Sequence, residues 1–462
     1  MKSVTKNLTS EKKLNIIIPI ILVIITLPLI SRAFTSRNEY RYVEIARSIL
    51  KNGNPFVYYV DNVLYTDKPP LYFWIMIISR FLFGNYYTYG IVLFNIAIEA
   101  FMLIKLNNFL SKKFGQKDSI IMLFLIATSI LQYISLILVR MDIFLSSFIT
   151  ITLIEFFECY EMENYRNIYK VYIYTGIAFL FKGPVGVLTP FLVIIIFKFF
   201  SRKKYTLRDI KFLKGIGVVL LFILFWIGPA YMTMGIPFLE NLFIKQVFAR
   251  TVSGFVHKQP FYYYIMLFPF IFFPWSIMVI YGTYRYIKDF MEKQKISDLE
   301  VFLIIWSLIT LFYLSLSSSK LVIYLLPIIT PVMILAFIKI SKANNSVRNR
   351  IYYLTLSFFL CACLSIPFVN GKDFAPYRYI TAMSFVATIL FSVLLFIKGY
   401  RNLSYYSFGM VIIFITIAAG INMSFINIQI RKGKKATYSL IKNFHGMKKY
   451  SFLPIEGGIR YV

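Results

Sequence analysis

The chain has 462 residues, of which 59% are hydrophobic, 19% aromatic and only 15% charged. A water-soluble globular domain is nearer half apolar and a quarter charged, so this composition excludes one. Its 21 Gly, 17 Pro and 3 Cys exclude collagen-like, disordered and disulfide-scaffold classes as well.

In chain order, apolar runs predict membrane-spanning helices near 14–34, 89–110, 118–139, 142–159, 167–181, 184–200, 212–234, 261–286, 299–316, 320–340, 350–369, 377–397 and 403–425. The first reads as an anchor: it has no clear small-residue cleavage site, and further spans follow. Residues 71–84 form a run of about fourteen that contains Arg80 and follows Pro69-Pro70. That is short for a span and suits a helix lying in the interface.

The basic residues assign the sides. Lys2, Lys6, Lys12 and Lys13 put the N-terminus inside, and loops 111–117, 201–211, 285–295, 341–350 and 398–401 then fall inside too. Counting 71–84 as a span would put the lysines of 111–117 outside. The formal charge of +30 is therefore mostly the charge of inner loops, and nucleic acid is not an expected partner. The expectation is an all-α polytopic membrane protein with about thirteen transmembrane helices in a single domain, 1–425. A first outer loop at 35–88 carries interfacial helices, a second outer loop covers 235–260, and 426–462 is a short basic outer tail. Cys159, Cys361 and Cys363 lie in or beside apolar stretches and read as small buried residues.

Residues with chemistry gather at the outer face. Residues 39–50 have helical periodicity with Tyr42, Ile45, Ile49 and Leu50 near one face, set among Glu39, Arg41, Glu44 and Arg47. Asp142 follows Arg140 at the outer end of one span and opens the next; it caps that helix, faces a cavity or a partner, or does both. Lys182 precedes Gly183-Pro184, a turn that could aim its ammonium, although a lysine there can also snorkel to headgroups. Arg250 and His257 lie in the second loop, and Ser317–Lys320 form a polar turn opening a span with Tyr324. Cations and carboxylates at one membrane face suit a lipid phosphate in an apolar groove, with carboxylates handling a hydroxyl.

These residues resemble one family. Asn38–Arg47, Gly53 and Asp67-Lys68-Pro69-Pro70-Leu71-Tyr72-Phe73-Trp74 look like the first periplasmic loop of bacterial aminoarabinose transferases. These belong to the wider protein-mannosyltransferase-like group of polyprenyl-phosphate-sugar-dependent enzymes with the C-type glycosyltransferase fold. Asp142, Lys182-Gly183-Pro184, Arg250 with His257–Tyr264 and Pro274-Trp275, and Ser319-Lys320-Leu321 with Tyr324–Pro327 recur in family order. By this resemblance Arg41, Lys68, Lys182 and Tyr324, with Arg250 and Lys320, would bind the carrier phosphate, and Asp142 would be a required acid. Asp67 and His257 resemble a pair that can hold a divalent ion in family members; no cofactor is otherwise implied. Glu39 matches the second acid of the family's catalytic Asp-Glu pair, but the first is Asn38, whose amide cannot take a proton as a carboxylate does. Either Glu39 or Asp142 then takes the role of base, or the chemistry tolerates a weak base because polyprenyl phosphate leaves readily, or activity is lost.

The resemblance implies a glycosyltransferase in a bacterial inner membrane, with its active site facing the periplasm. It would move a sugar from polyprenyl (undecaprenyl) phosphate to an envelope acceptor such as lipid A, with inversion. Protein O-glycosylation is the alternative within the family. A transporter or non-catalytic lipid-binding protein is the alternative outside it, and would concentrate polar residues near mid-membrane instead of at the outer rim.

Overall fold

The computed structural model describes residues 17–23, 34, 36–84, 88–243, 259–317, 320–365, 454–455 and 458–459. Beyond a first short helix, the stretch 36–84 is built of two helices and a hairpin. Helix α1 covers 17–23, and α2 (Arg37–Asn52) starts at a reciprocal cap in which Ser36 and Glu39 bond each other's backbone N–H. Its apolar face buries Tyr42, Val43, Ile45, Ala46 and Ile49, with Leu50 only half-buried. The hairpin β1 (Tyr59–Val60) and β2 (Val63–Leu64) turns at Asp61 and Asn62, with φ of 49° and 62°. Such left-handed values belong to the tight turns whose twist matches paired strands.

Helix α3 (Leu71–Phe83) is the expected short apolar helix. It turns Tyr72, Phe73, Met76 and Ser79 inward, while Phe81 and Leu82 stay exposed. Tyr42 meets the edges of Tyr72 and Phe73 at centroid distances of 5.7 and 5.8 Å, which joins α2 to α3.

Five helical stretches among the described residues are long and apolar enough to cross a membrane. They are α4 (Thr88–Phe114), α7 (Asp142–Glu161), α10 (Phe212–Met234), α14 (Asp298–Leu316) and Val322–Ser341, where a 3-10 turn leads into α15 (Leu326–Ser341). Two bent pairs raise the number to at most seven: α5 (Gln116–Ala127) with α6 (Ile130–Ile137), and α12 (Tyr263–Ile271) with α13 (Ser276–Met291). Helices α8 (Tyr169–Lys182) and α9 (Val185–Phe200) are shorter than a full span, α11 (Ile236–Glu240) is one turn, and α16 covers Asn345–Ser365. Of the thirteen expected spans, 377–397 and 403–425 lie outside the described residues, and 14–34 is described only at 17–23.

The expected straight spans 118–139 and 261–286 are broken, by 65° and 120° respectively. The two breaks dock on each other. Ile130 donates its N–H to the Phe273 carbonyl at 2.7 Å, and Trp275 Nε1 donates to Thr128 Oγ1 at 2.9 Å. Hydroxyls of Thr128 and Ser129 return to the Phe124, Leu125 and Ile126 carbonyls, so backbone groups freed by the break remain paired inside the bundle.

The core lies mainly around α7 and α15, whose apolar stretches are 89% and 94% buried, against 17% for α10 at the periphery. One end of the bundle carries the basic loops, tied by Lys112–Glu158, Lys113–Glu161, Lys203–Glu163, Arg202–Asp298 and Lys342–Glu300. Asp142, at the other end of α7, lies at the opposite face.

Candidate functional site

At that opposite face three elements place charge together. Leu138 is extended after α6, so residues 138–141 form a short link before α7 begins at Asp142. The cap of α7 is Met141 and no side chain caps it, so Asp142 is not the helix cap that the sequence allowed. Its carboxylate instead takes two cations: Oδ2 lies 2.9 Å from Arg140 Nε, and Oδ1 is paired with Lys182 Nζ. Asp142 is 2% exposed, and a carboxylate at such depth needs partners of this kind.

Lys182 ends α8, and Gly183 then turns the chain with φ +74°. A Cβ added at Gly183 would touch only the Pro69 ring, at 3.9 Å, so the Lys-Gly-Pro turn faces the Asp67-Lys68-Pro69-Pro70 stretch of the first loop. Lys68 is one of the charges acting on Lys182. The same loop is braced from within: the Tyr58 hydroxyl donates to the Lys68 carbonyl, and that of Tyr65 to Asp67 Oδ2 at 3.2 Å. Tyr324 supplies the third side, its ring centroid 4.0 Å from Lys182 Nζ.

Tyr42 of α2 completes the enclosure. Burial pushes its hydroxyl well up; Arg140 opposes this, and Asp142, Tyr324 and Asp67 reinforce it. Tyr65 is raised by burial and then by Asp67, with Arg41 opposing. Both phenols therefore stay protonated at neutral pH; the Tyr65 proton is given to Asp67, and Tyr42 is the one that can donate to an anion.

The structure thus brings together Asp142, Lys182, Tyr324, Lys68 and Asp67, with the half-buried Arg41 on α2 nearby. Asn38 is half-buried on the first turn of α2. Glu39, beside it, is fully buried: Oε1 accepts the Val139 N–H at 3.0 Å and Oε2 the Ser36 N–H at 3.2 Å. Lys320 is buried too, its ammonium bonded to the carbonyls of Gln259 (3.1 Å) and Ser317, so it pins a turn at the mouth of α14. Arg250 and His257 lie outside the described residues. Among the described residues no three His, Cys, Asp or Glu side chains are grouped as metal ligands.

Sequence reasoning passed over Arg140 and Tyr42 as members of the cluster, and over Asn95 and Glu99 beneath it. The last two had a signal: each is a polar residue inside a long apolar helix, which marks a group facing the bundle interior.

Known proteins match this chain in sequence and in fold. Residues 67–227 fit the family described as dolichyl-phosphate-mannose-protein mannosyltransferase. The undecaprenyl phosphate-alpha-4-amino-4-deoxy-L-arabinose arabinosyl transferase of Wigglesworthia glossinidia brevipalpis is 29% identical over 375 residues, which are 74% of this chain and 63% of the relative. The protein of that name from Yersinia pestis (strain Pestoides F) is 24% identical over 339 residues, 70% of this chain and 58% of the relative. The matches thus span less than two thirds of these relatives. A crystal structure of ArnT from Cupriavidus metallidurans bound to undecaprenyl phosphate superposes with a TM-score of 0.76 at 20% identity, covering 97% of this chain and 82% of that one. The fold is that of ArnT, the C-type glycosyltransferase fold, and the resemblance to aminoarabinose transferases and protein-mannosyltransferase-like enzymes holds in both sequence and fold.

Proposed function

We propose that this chain is an integral-membrane glycosyltransferase that moves a sugar from polyprenyl (undecaprenyl) phosphate to an envelope acceptor, with lipid A the leading candidate. The observation that carries the reading is the buried Asp142 carboxylate shared by Arg140 and Lys182, with Lys182 also lying on the Tyr324 ring. Likeness to a protein crystallised with undecaprenyl phosphate supports the choice of donor. In this reading about thirteen spans form one domain, the basic end of the bundle is cytoplasmic, and the Asp142 face is periplasmic.

Lys68, Lys182 and Arg41 would bind the carrier phosphate, with Tyr324 and the loop's Arg250 alongside. A phosphate oxygen and an ammonium about 4 Å apart attract by roughly 4 kcal/mol at an effective dielectric of 20. Donor binding gives Lys182 a second anion; as the ammonium turns to phosphate, Asp142 Oδ1 is released towards the acceptor hydroxyl. The acceptor oxygen then bonds to the anomeric carbon in line as the carbon–phosphate oxygen bond breaks. The electron pair leaves on polyprenyl phosphate, stabilised by the cations, and the acceptor's proton passes to Asp142 or to the phosphate. The sugar inverts. Nothing in this sequence needs a nucleotide or a metal; a divalent ion near Asp67 would act on the phosphate charge alone.

Protein reconstituted in liposomes with undecaprenyl-phosphate-linked aminoarabinose and lipid A should give modified lipid A by mass spectrometry. Wild-type-like turnover by both Asp142→Ala and Lys68→Ala would remove the site from the reaction.

A further inference from the structure

The link between α6 and α7 is the weak point of the site. Helix α6 ends at Ile137 and Leu138 is extended; the Leu138 N–H still reaches the Ile134 carbonyl at 3.3 Å, but the carbonyls of Leu136 and Leu138 and the Val139 N–H are met from outside the helix. Two fully buried side chains take them. Asn95 of α4 donates through Nδ2 to the Leu136 carbonyl at 2.8 Å and the Leu138 carbonyl at 2.9 Å. Glu39 of α2, a hundred residues away from its partner in sequence, accepts the Val139 N–H. The next residue is Arg140, whose own N–H returns to the Leu138 carbonyl at 2.9 Å.

We propose that Asn95 and Glu39 are positioning residues that clamp 138–140 from two sides and so fix the direction in which Arg140 meets Asp142. Glu39 serves as a hydrogen-bond acceptor, not as the base. Its two oxygens are taken by the backbone N–H groups of Val139 and Ser36, and it is 0% exposed, so a substrate hydroxyl could reach it only by opening the clamp. Through Glu39 the outer loop helix and the bundle share one backbone segment, which couples the seating of α2 to the geometry of the cation pair. The inference rests on the donor-phosphate reading only for its effect on transfer; the clamp itself is tested without substrate.

The experiment is hydrogen exchange of the peptide spanning 138–142 in lipid nanodiscs, alongside transfer assays across pH. Glu39→Ala and Asn95→Asp should exchange there roughly tenfold faster than wild type. Transfer should fall by about 10²-fold, the cost of a small misplacement, with an unchanged pH profile. Glu39→Gln keeps an oxygen for the Val139 N–H and should recover most of both. Unchanged exchange in Asn95→Asp and Glu39→Ala would overturn the clamp. Glu39→Gln that is protected yet inactive, and missing the acidic limb of the profile, would make Glu39 the base. If Glu39→Ala does not fold, Asn95→Asp and Glu39→Gln decide the matter alone. A wild type that neither binds undecaprenyl phosphate nor transfers sugar would sink the donor reading, while the exchange data would still decide the clamp.

Discussion

The ammonium of Lys182 lies 4.0 Å from the ring centroid of Tyr324, while the same ammonium pairs with Asp142. A ring face holds a cation without neutralising it, so Tyr324 keeps Lys182 in place when it exchanges a carboxylate for a phosphate. A desolvated contact of this kind contributes about 1–2 kcal/mol. Tyr324→Leu should therefore raise the Kd for undecaprenyl phosphate roughly tenfold, and Tyr324→Phe much less. Equal losses in both variants, measured by native mass spectrometry, would assign the effect to the hydroxyl.

Asp142 is expected to matter for stability as well as turnover. Removing it leaves Arg140 and Lys182 buried without their shared anion, and breaking a buried pair in this way costs about 3–5 kcal/mol. Asp142→Ala should melt well below wild type. Because a phosphate can replace the missing carboxylate, undecaprenyl phosphate should raise the Tm of Asp142→Ala more than that of wild type. A smaller shift in the variant would mean that the phosphate sits elsewhere.

Lys68→Ala and Arg41→Ala should weaken donor binding, each by about tenfold, with the larger effect at low ionic strength. Titrations at two salt concentrations test this. A loss independent of salt would point to a collapse of the first loop.

At the basic end, Lys339 bridges Asp289 at 2.9 Å and Glu300 at 3.0 Å, and Tyr286 donates to Glu300 at 2.9 Å. This buried set ties α13, α14 and α15 together far from Asp142. Lys339→Met should destabilise the protein by about 3–5 kcal/mol. Its donor Kd, read on folded protein, should stay at the wild-type value; a parallel loss of affinity would reveal coupling between the two ends.

Helices α8 and α9 meet closely just past Lys182. A Cβ at Gly186 would come within 2.5 Å of the Ala178 backbone carbon, which cannot move aside as a flexible side chain could. Gly186→Leu should push the helices apart, lowering Tm and transfer together. Retention of both would mean that the crossing tolerates a rigid shift.

Much of the architecture was legible because lipid imposes simple requirements. Helix α4, helix α7, the short apolar helix α3 and the basic end of the bundle all follow from run length and charge. The bends at 128–129 and 272–275 were not legible: hydropathy averages over a window, whereas the bends depend on Trp275, Thr128 and Phe273 meeting across the bundle. Asp142 and Lys182 stood out as charges at span ends, but the choice between a helix cap and an ion pair needed the position of α8 beside α7. Tyr42 was read only as a member of an apolar face, since periodicity reports which way a side chain points and not what its hydroxyl meets.

By itself the sequence determined that this chain lies in a membrane and which of its loops carry positive charge, and its motifs pointed to a lipid-phosphate chemistry at one face. These are one-dimensional properties, set by the cost of placing polar groups in hydrocarbon. Only the tertiary structure decided that Asp142 is held by two cations and that Glu39 and Asn95 grip the same short link. Apart from Arg140 with Asp142, those pairings join residues 40 to 100 positions apart, and it is the packing of α2, α4 and α8 around α7 that brings them within hydrogen-bonding reach.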